Sequence, residues 1–498
     1  MRLSKNLKLT LAVTALFAIA APAAAQTAAK KGPAATQASK PTMAQGVQAL
    51  RDGDNKLALS IFERLGNQGN AEAQFFLAGR HLIGAGTPED KVTAAYWYRK
   101  SAEQGYVNAQ LVLAALYAEG SGVPQSFADA AIWYRRAAEQ GNAEAKYKLG
   151  RIYEEGLGLQ TDLDVAVNWY TEAANQGYAK AQEALGFAYF EGDGVKKDEK
   201  AAAEWFRKAA DQGLAGSQTM MGDLHQKGSG VSKDLTLAVS WYIKAAEQDH
   251  PVAQSALGFL YSYGLGVPTN YDLAFKWYQR AADQGDRAAQ SGLARLYADG
   301  QGVKQNFALA AEWYRKAADQ GDILGQVGLA YLYEHGLGVK RNEVSAATLY
   351  RLAGEKGHMK AQARLGAMYF IGLNGPPDHA AAALWFQKAA DQAYVPAQVM
   401  VGAMYQGGMG VPLDKALGAS WYRKAAEQGD ATAQRLIGSL HANGDGVPKD
   451  LVTAYMWLSL SEAGGDQDAT KWKNYVARNM TPAQIAEGLR LAREWLKK

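Results

Sequence analysis

Ten tryptophans, at positions 97, 133, 169, 205, 241, 277, 313, 385, 421 and 457, fall on a strict 36-residue register. A constant period of this length means tandem supersecondary units, none able to bury its apolar face alone, stacked so that each neighbour completes the next core. The chain has 498 residues, a length that in a non-repetitive protein implies about three or four domains, but here it counts repeats.

Taking units from residue 70 in steps of 36 gives eleven, the last ending at Gly465. In the first, Ala73, Leu77, Arg80 and Gly84 stand at i, i+4, i+7 and i+11, the spacing of one helical stripe, so these positions mark the core face of a first helix, A. All eleven units carry glycine at position 84, numbering each unit by the first, where a left-handed cap ends the helix. Six residues on stand Asp90, Ser126, Asp162, Asp198, Asp234, Asn270, Asn306, Asn342, Asp378, Asp414 and Asp450, each able to cap a second helix, B. Helix B carries a small residue at position 94, the Trp, usually Tyr, and then an Ala pair such as Ala137 and Ala138.

The joined pattern, AxxWYxKAAxQGxxxAQxxLGxxYxxGxGVxxD, resembles the Sel-one-like repeat (SLR), a relative of the tetratricopeptide repeat, over about residues 70–465. The resemblance implies an all-α, right-handed superhelical solenoid of helix-turn-helix units with helix A on the concave side. It also implies adaptor proteins of signalling, of envelope or exopolysaccharide regulation, or of host contact. Three departures stand out: Leu349 in place of Trp, Asn374 in place of the second loop glycine, and Asp249, His250 and Pro251 in one inter-repeat turn.

The flanks read differently. Arg2, Lys5 and Lys8, an apolar run over residues 9–20 and Ala23, Ala24 and Ala25 read as a secretory signal over residues 1–25, which predicts a periplasmic or secreted protein with no stable membrane anchor. Residues 26–41 have the composition of a disordered tether. Residues 42–69 read as a degenerate capping hairpin, with Asp52, Gly53 and Asp54 at its turn and Ile61 and Phe62 where Trp and Tyr would stand. In residues 466–498, Thr481, Pro482 and Gln484 start a capping helix, and Trp472, Tyr475, Ile485, Leu489 and Trp495 are expected to close the last repeat.

The chain has no cysteine, so disulfides and lipidation of an N-terminal cysteine are excluded. Cleavage after residue 25 would leave 50 Lys plus Arg against 49 Asp plus Glu, a balance that argues against nucleic-acid partners.

No HExxH, GxSxG, phosphate-loop or dinucleotide motif occurs, and the GxGV loops follow helices rather than strands, so neither an enzyme nor a cofactor is expected. His81, His225 and His441 occupy the Tyr position of their repeats and are expected to pack, while His250, His335, His358 and His379 lack metal-ligand spacing. Residues 52–63 have Lys56 and Leu57 where a calcium loop needs a ligand and glycine. Glu154 and Glu155 read as a solvated helix end.

Opposite the 73/77/80/84 stripe, positions 75, 79 and 82 are expected to face solvent. They vary most along the chain, and Tyr147, Arg151, Phe187, Phe190, Phe259, Arg295, Tyr331 and Phe370 on this stripe are the candidate partner-binding residues. The expected partner is a protein or peptide. The alternatives are a secreted host-contact factor, or a module stacking these aromatics on peptidoglycan or polysaccharide.

Overall fold

The computed structural model describes residues 41–373 and 375–497. The segment expected to be a secretory signal (1–25), all but the last residue of the expected tether (26–41), and Asn374 lie outside the described residues. Among those described there are 26 helices and no strand. The chain divides into two compact units, Met1–Gln248 and Asp249–Lys498. The first holds an N-terminal hairpin (Met43–Arg51, Asn55–Asn67) and repeats 1 to 5, from Ala71–Ile83 with Lys91–Glu103 to Ala215–Lys227 with Leu235–Ala246. The second holds repeats 6 to 11, from Pro251–Tyr263 with Tyr271–Asp283 to Ala431–Asn443 with Leu451–Ala463, and two closing helices, Ala469–Ala477 and Pro482–Trp495. Each unit is a stretch of an α-solenoid of tandem helix pairs.

Local chemistry sets every hairpin boundary. All eleven residues equivalent to Asp90 are N-caps whose side chains accept from the first turn of helix B. All eleven glycines at position 84 end helix A in the left-handed conformation. The second glycine of the turn is required for space as well. A Cβ on Gly122 or Gly230 would lie 2.0 Å from the carbonyl oxygen of Lys91 or Glu199, at the start of the preceding helix B.

The tryptophans bind hairpin to hairpin. Trp241 packs with Ala202, Ala203 and Phe206 of repeat 4 and with Met221 and Leu224 of its own helix A. Five of the ten (Trp133, Trp241, Trp385, Trp421 and Trp457) are fully buried and the others are half-buried. Seven of them also lie beneath a Lys or Arg three residues on, as close as 3.6 Å for Lys208 over Trp205 and Lys424 over Trp421.

A second tie, unassigned in the sequence reading, runs through position 74. It is Gln in ten repeats and Lys146 in the third, and every copy is buried. Gln110 donates to the Ala102 carbonyl ending the preceding helix B (3.1 Å) and accepts from Gln140 (2.7 Å). The second of these bonds, between glutamines 30 residues apart, recurs in eight repeats. In the third repeat Lys146 instead pairs with Glu172 at 2.7 Å. In the eighth Lys356 replaces the second glutamine, and the buried Gln326 Oε1 has no partner among the described residues. A buried amide satisfied this way fixes the register of one hairpin on the next, since a slip strands polar atoms in the core.

Position 105, the turn between repeats, is glycine with positive φ except at Asp249 (φ 61°) and Ala393 (φ 62°). Asp249 is held by an ion pair with Arg280 at 2.6 Å, whereas Ala393 has no such bond among the described residues. A Cβ at the equivalent Gly213 meets nothing within 4 Å, so at this position the side chain costs only backbone strain. Ala393→Gly is therefore expected to stabilise the protein by about 1 kcal/mol in chemical denaturation, and an unchanged or lower midpoint would contradict this account.

At the N-terminal end Phe62 is fully buried and stacks on Phe76 at 5.1 Å. At the other end Thr481 and Gln484 form a capping box with Pro482 at the helix start, and Trp495 lies edge-on to Trp457 at 6.1 Å. Trp472, Ile485 and Leu489 pack against the closing cluster. Tyr475 does not: it is 54% exposed, because the short helix Ala469–Ala477 turns only Ala469 and Val476 fully inward.

Candidate interaction surface

Helix A buries a wider arc than its stripe of large apolar residues. Besides positions 73, 77 and 80, it buries the glutamine at 74 and, in most repeats, the small residue at 78. At 100° per residue this rotates the outward face by roughly 50° from the expected one. The outward arc runs through positions 72, 76, 79 and 83: position 83 is exposed in all eleven repeats and 72 in ten, while 76 and 79 are half-buried in most. Positions 75 and 82 move to the margins: Phe75, Leu111, Ala118 and Glu334 are buried there.

This corrects the expected 75/79/82 stripe. Of the eight candidates, Phe259 (41%) and Tyr331 (50%) are exposed, and the other six are half-buried. Tyr147 lies between Tyr170 and Tyr178, with ring centroids 5.8 and 5.5 Å away, and receives a hydrogen bond from Arg151 (3.3 Å). Arg151 pairs with Glu154 (3.5 Å) and with Glu155, which are both exposed. Phe187 meets Phe206 edge-on at 4.9 Å, Phe190 lies 5.6 Å beneath Lys197, and Phe370 lies 4.9 Å from His379.

In the second unit the outward positions come together. Phe259 lies 4.7 Å from Tyr263, and the Arg295 guanidinium stands 5.1 Å over the Tyr263 ring while pairing with Asp299 at 3.6 Å. Tyr331 stacks on His335 at 4.2 Å, and His335 Nδ1 donates to the Tyr331 carbonyl (2.9 Å). Tyr263 and His335, both at position 83, were missed because the core arc inferred from sequence was too narrow.

Also missed was a polar layer beneath this face. The helix-B tyrosine at position 98 reaches the residue 16 positions earlier on its own helix A: Tyr170 donates to Glu154 (2.8 Å), Tyr242 to Gln226 (2.9 Å) and Tyr350 to Glu334 (3.0 Å). Glu334 is 5% exposed, and Arg364 of the next repeat closes on it, with Nε 3.0 Å from Oε2. The two repeats with Phe at position 82, Phe190 and Phe370, carry Phe206 and Phe386 at 98, so no hydroxyl is left facing an aromatic ring. Comparing positions 82 and 98 along the chain would have revealed the pairing.

Two of the three histidines at the Tyr position pack as expected: His225 and His441 are buried, with Nδ1 3.1 and 3.2 Å from the carbonyls of Ser232 and Pro448, whereas His81 is half-buried and its Nδ1 has no partner among the described residues. His358 is the N-cap of Met359–Ile371, and its Nδ1 accepts from Ala361 N–H (3.1 Å), which only the uncharged ring does. Burial, with Lys360 beside it, holds its pKa below the ordinary 6.5. The folded ring thus takes up its proton at lower pH than the unfolded one. Its contribution to stability is complete above 6.5 and is lost as pH falls through that value toward the depressed folded pKa. His250 and His441, lowered by burial, act with the same sign. His358→Asn keeps a capping oxygen that does not titrate, so the drop in Tm between about pH 7.5 and about pH 5.5 should be smaller than in wild type. An equal drop would remove His358 from the account.

Among the described residues no cluster of three or more His, Asp or Glu could hold a metal ion, and no helix is long and apolar enough to cross a membrane.

Helix pairs repeated over a constant buried frame, with a variable outward face on helix A, define an α-solenoid of the interaction-scaffold class. The chain matches the Sel1 repeat at residues 71–106, 107–142, 143–178, 179–214, 215–250, 251–286, 287–322, 323–358, 360–394, 395–430 and 431–466, and belongs to the Sel1 repeat family. Proteins of this family are protein-interaction scaffolds. Among solved structures, the chain is similar to c5321, a protective antigen of uropathogenic Escherichia coli strains displaying an SLR fold. That match has 36% identity and a TM-score of 0.78, and covers 88% of this chain and 94% of that one. It is also similar to a Sel1 repeat protein from Oxalobacter formigenes, with 34% identity and a TM-score of 0.50, covering 62% of this chain and 90% of that one. Comparison with curated proteins gave no match.

Proposed function

We propose that this protein is a non-enzymatic adaptor of the bacterial periplasm or cell envelope that holds a protein or peptide partner on its helix-A face. The observation that carries this reading is variation on a fixed frame. Position 79 runs Gly79, Ala115, Arg151, Phe187, Asp223, Phe259, Arg295, Tyr331, Ala367, Ala403 and Ser439, while positions 73 and 74 beside it keep small residues and glutamine almost throughout. Position 79 is buried only as Gly79 and Ala115 and is at least partly open in the other nine repeats, so Phe, Tyr and Arg there, the side chains that anchor interfaces, favour recognition. The basic start and apolar run of residues 1–25 support export, and the likeness to a bacterial antigen supports a location outside the cytoplasm.

The test is crosslinking capture from the native envelope with wild type and a Phe259→Ser, Tyr263→Ser, Tyr331→Ser variant checked for unchanged helicity. All three side chains are half or nearly half exposed, so the fold should tolerate their loss. Loss of one specific partner supports the reading, and identical capture by both proteins contradicts it. Sedimentation with purified sacculi by wild type but not the variant would instead favour glycan stacking, for which the exposed Phe259–Tyr263 pair is the platform.

A further inference from the structure

Cations at position 76 occur twice, as Lys148 and Arg364. Arg364 belongs to a complete group: the buried Glu334 carboxylate, 30 residues earlier, receives Arg364 Nε at 3.0 Å and the Tyr350 hydroxyl at 3.0 Å. The same three places in the first unit hold Ala118, Tyr134 and Lys148. By register the two donor positions are filled by Tyr134 and Lys148, and the acceptor position is not, since Ala118 ends at Cβ where Glu334 continues to a carboxylate.

Tyr134 is buried and Lys148 half-buried, and neither Tyr134 Oη nor Lys148 Nζ has a hydrogen bond or ion pair among the described residues. Burial lowers the Lys148 pKa, Lys180 and Arg151 push the same way, and the exposed Glu144 and Glu119 oppose them without pairing with Nζ. An ammonium taken partly out of water without a partner is a destabilising arrangement unless something supplies one. Its position on the outward arc of Ala143–Glu155 leaves it open to a partner on the proposed interaction surface.

Building on the scaffold reading, we infer that Ala118, Tyr134 and Lys148 form a receptor for one acidic side chain of a bound peptide, whose carboxylate takes the place that Glu334 fills from within the chain. Tyr134 and Lys148 donate to it as Tyr350 and Arg364 donate to Glu334. The ligand is a carboxylate because the filled copy of the group shows which acceptor these donors hold.

The full chain with 13C-dimethylated lysines, titrated with sodium acetate against sodium chloride at equal ionic strength, tests this directly by NMR. The Lys148 signal, assigned by its absence in Lys148→Gln, is expected to shift saturably with acetate and not with chloride. In Ala118→Glu the signal should start shifted and ignore acetate, Tm should rise, and envelope capture should fall about tenfold or more, the loss expected for one charge-assisted hydrogen bond. Equal response to both salts, or an acetate response surviving in Ala118→Glu, overturns the inference. Should that variant not fold, Lys148→Met carries the same comparison: acetate must raise the wild-type Tm relative to chloride and leave the variant's unchanged. Capture lost in the Phe259, Tyr263, Tyr331 variant but kept in Ala118→Glu would sink the carboxylate receptor alone. A specific acetate response with no aromatic-dependent capture would support the receptor and sink the scaffold reading on which its peptide ligand rests.

Discussion

Trp241→Ala is expected to cost about 3–5 kcal/mol, with the damage centred on repeats 4 and 5. Trp241 is 6% exposed, fills the space between Phe206 of one hairpin and Met221 and Leu224 of the next, and supports Lys244, whose Nζ lies 3.8 Å from its ring centre. Its removal opens a cavity and forfeits a cation–π contact of about 0.5–1 kcal/mol. A repeat array gains stability from nearest-neighbour interfaces, so the loss should appear as faster amide exchange in Glu199–Asp211 and Ala215–Lys227 before any global transition. Unchanged protection in those two helices would show that the Trp register is not what joins the hairpins.

The second large effect belongs to a glycine. Gly230 has φ 70°, and a Cβ there would lie 2.0 Å from the Glu199 carbonyl oxygen and 2.4 Å from its carbon. Gly230→Ala thus combines left-handed strain of about 1–2 kcal/mol with a backbone collision costing about 1–3 kcal/mol, so a loss of roughly 3 kcal/mol is expected in chemical denaturation. Gly213→Ala is the matched control. It has φ 91° and open space around the added methyl, so only the strain remains. Equal losses in the two variants would refute the collision and leave conformational strain as the whole reason for the turn glycines.

These predictions rest on features that differ in how far the sequence alone discloses them. Helix starts and stops were legible because capping by Asp90 or Ser126 and the left-handed turn at Gly84 depend on residues within a few positions of one another. The outward face of helix A was legible only in part. Phe259 and Tyr331 do face solvent, but Tyr147, Phe187 and Phe190 are half-buried, since the buried glutamine at position 74 widens the core on one side. Hydrophobic periodicity gives a glutamine no weight, although here it joins two hairpins from within the core.

The sequence by itself determined the period, the all-α class, the eleven hairpins, their caps and the tryptophan register, all of which follow from helix geometry and short-range hydrogen bonding. Only the tertiary structure decided which arc of helix A meets solvent, that Glu334 is satisfied by Tyr350 and Arg364, and that Tyr134 and Lys148 stand without an acceptor. Those outcomes depend on contacts 16 and 30 residues apart, and the distances across them are set by how one hairpin leans on the next.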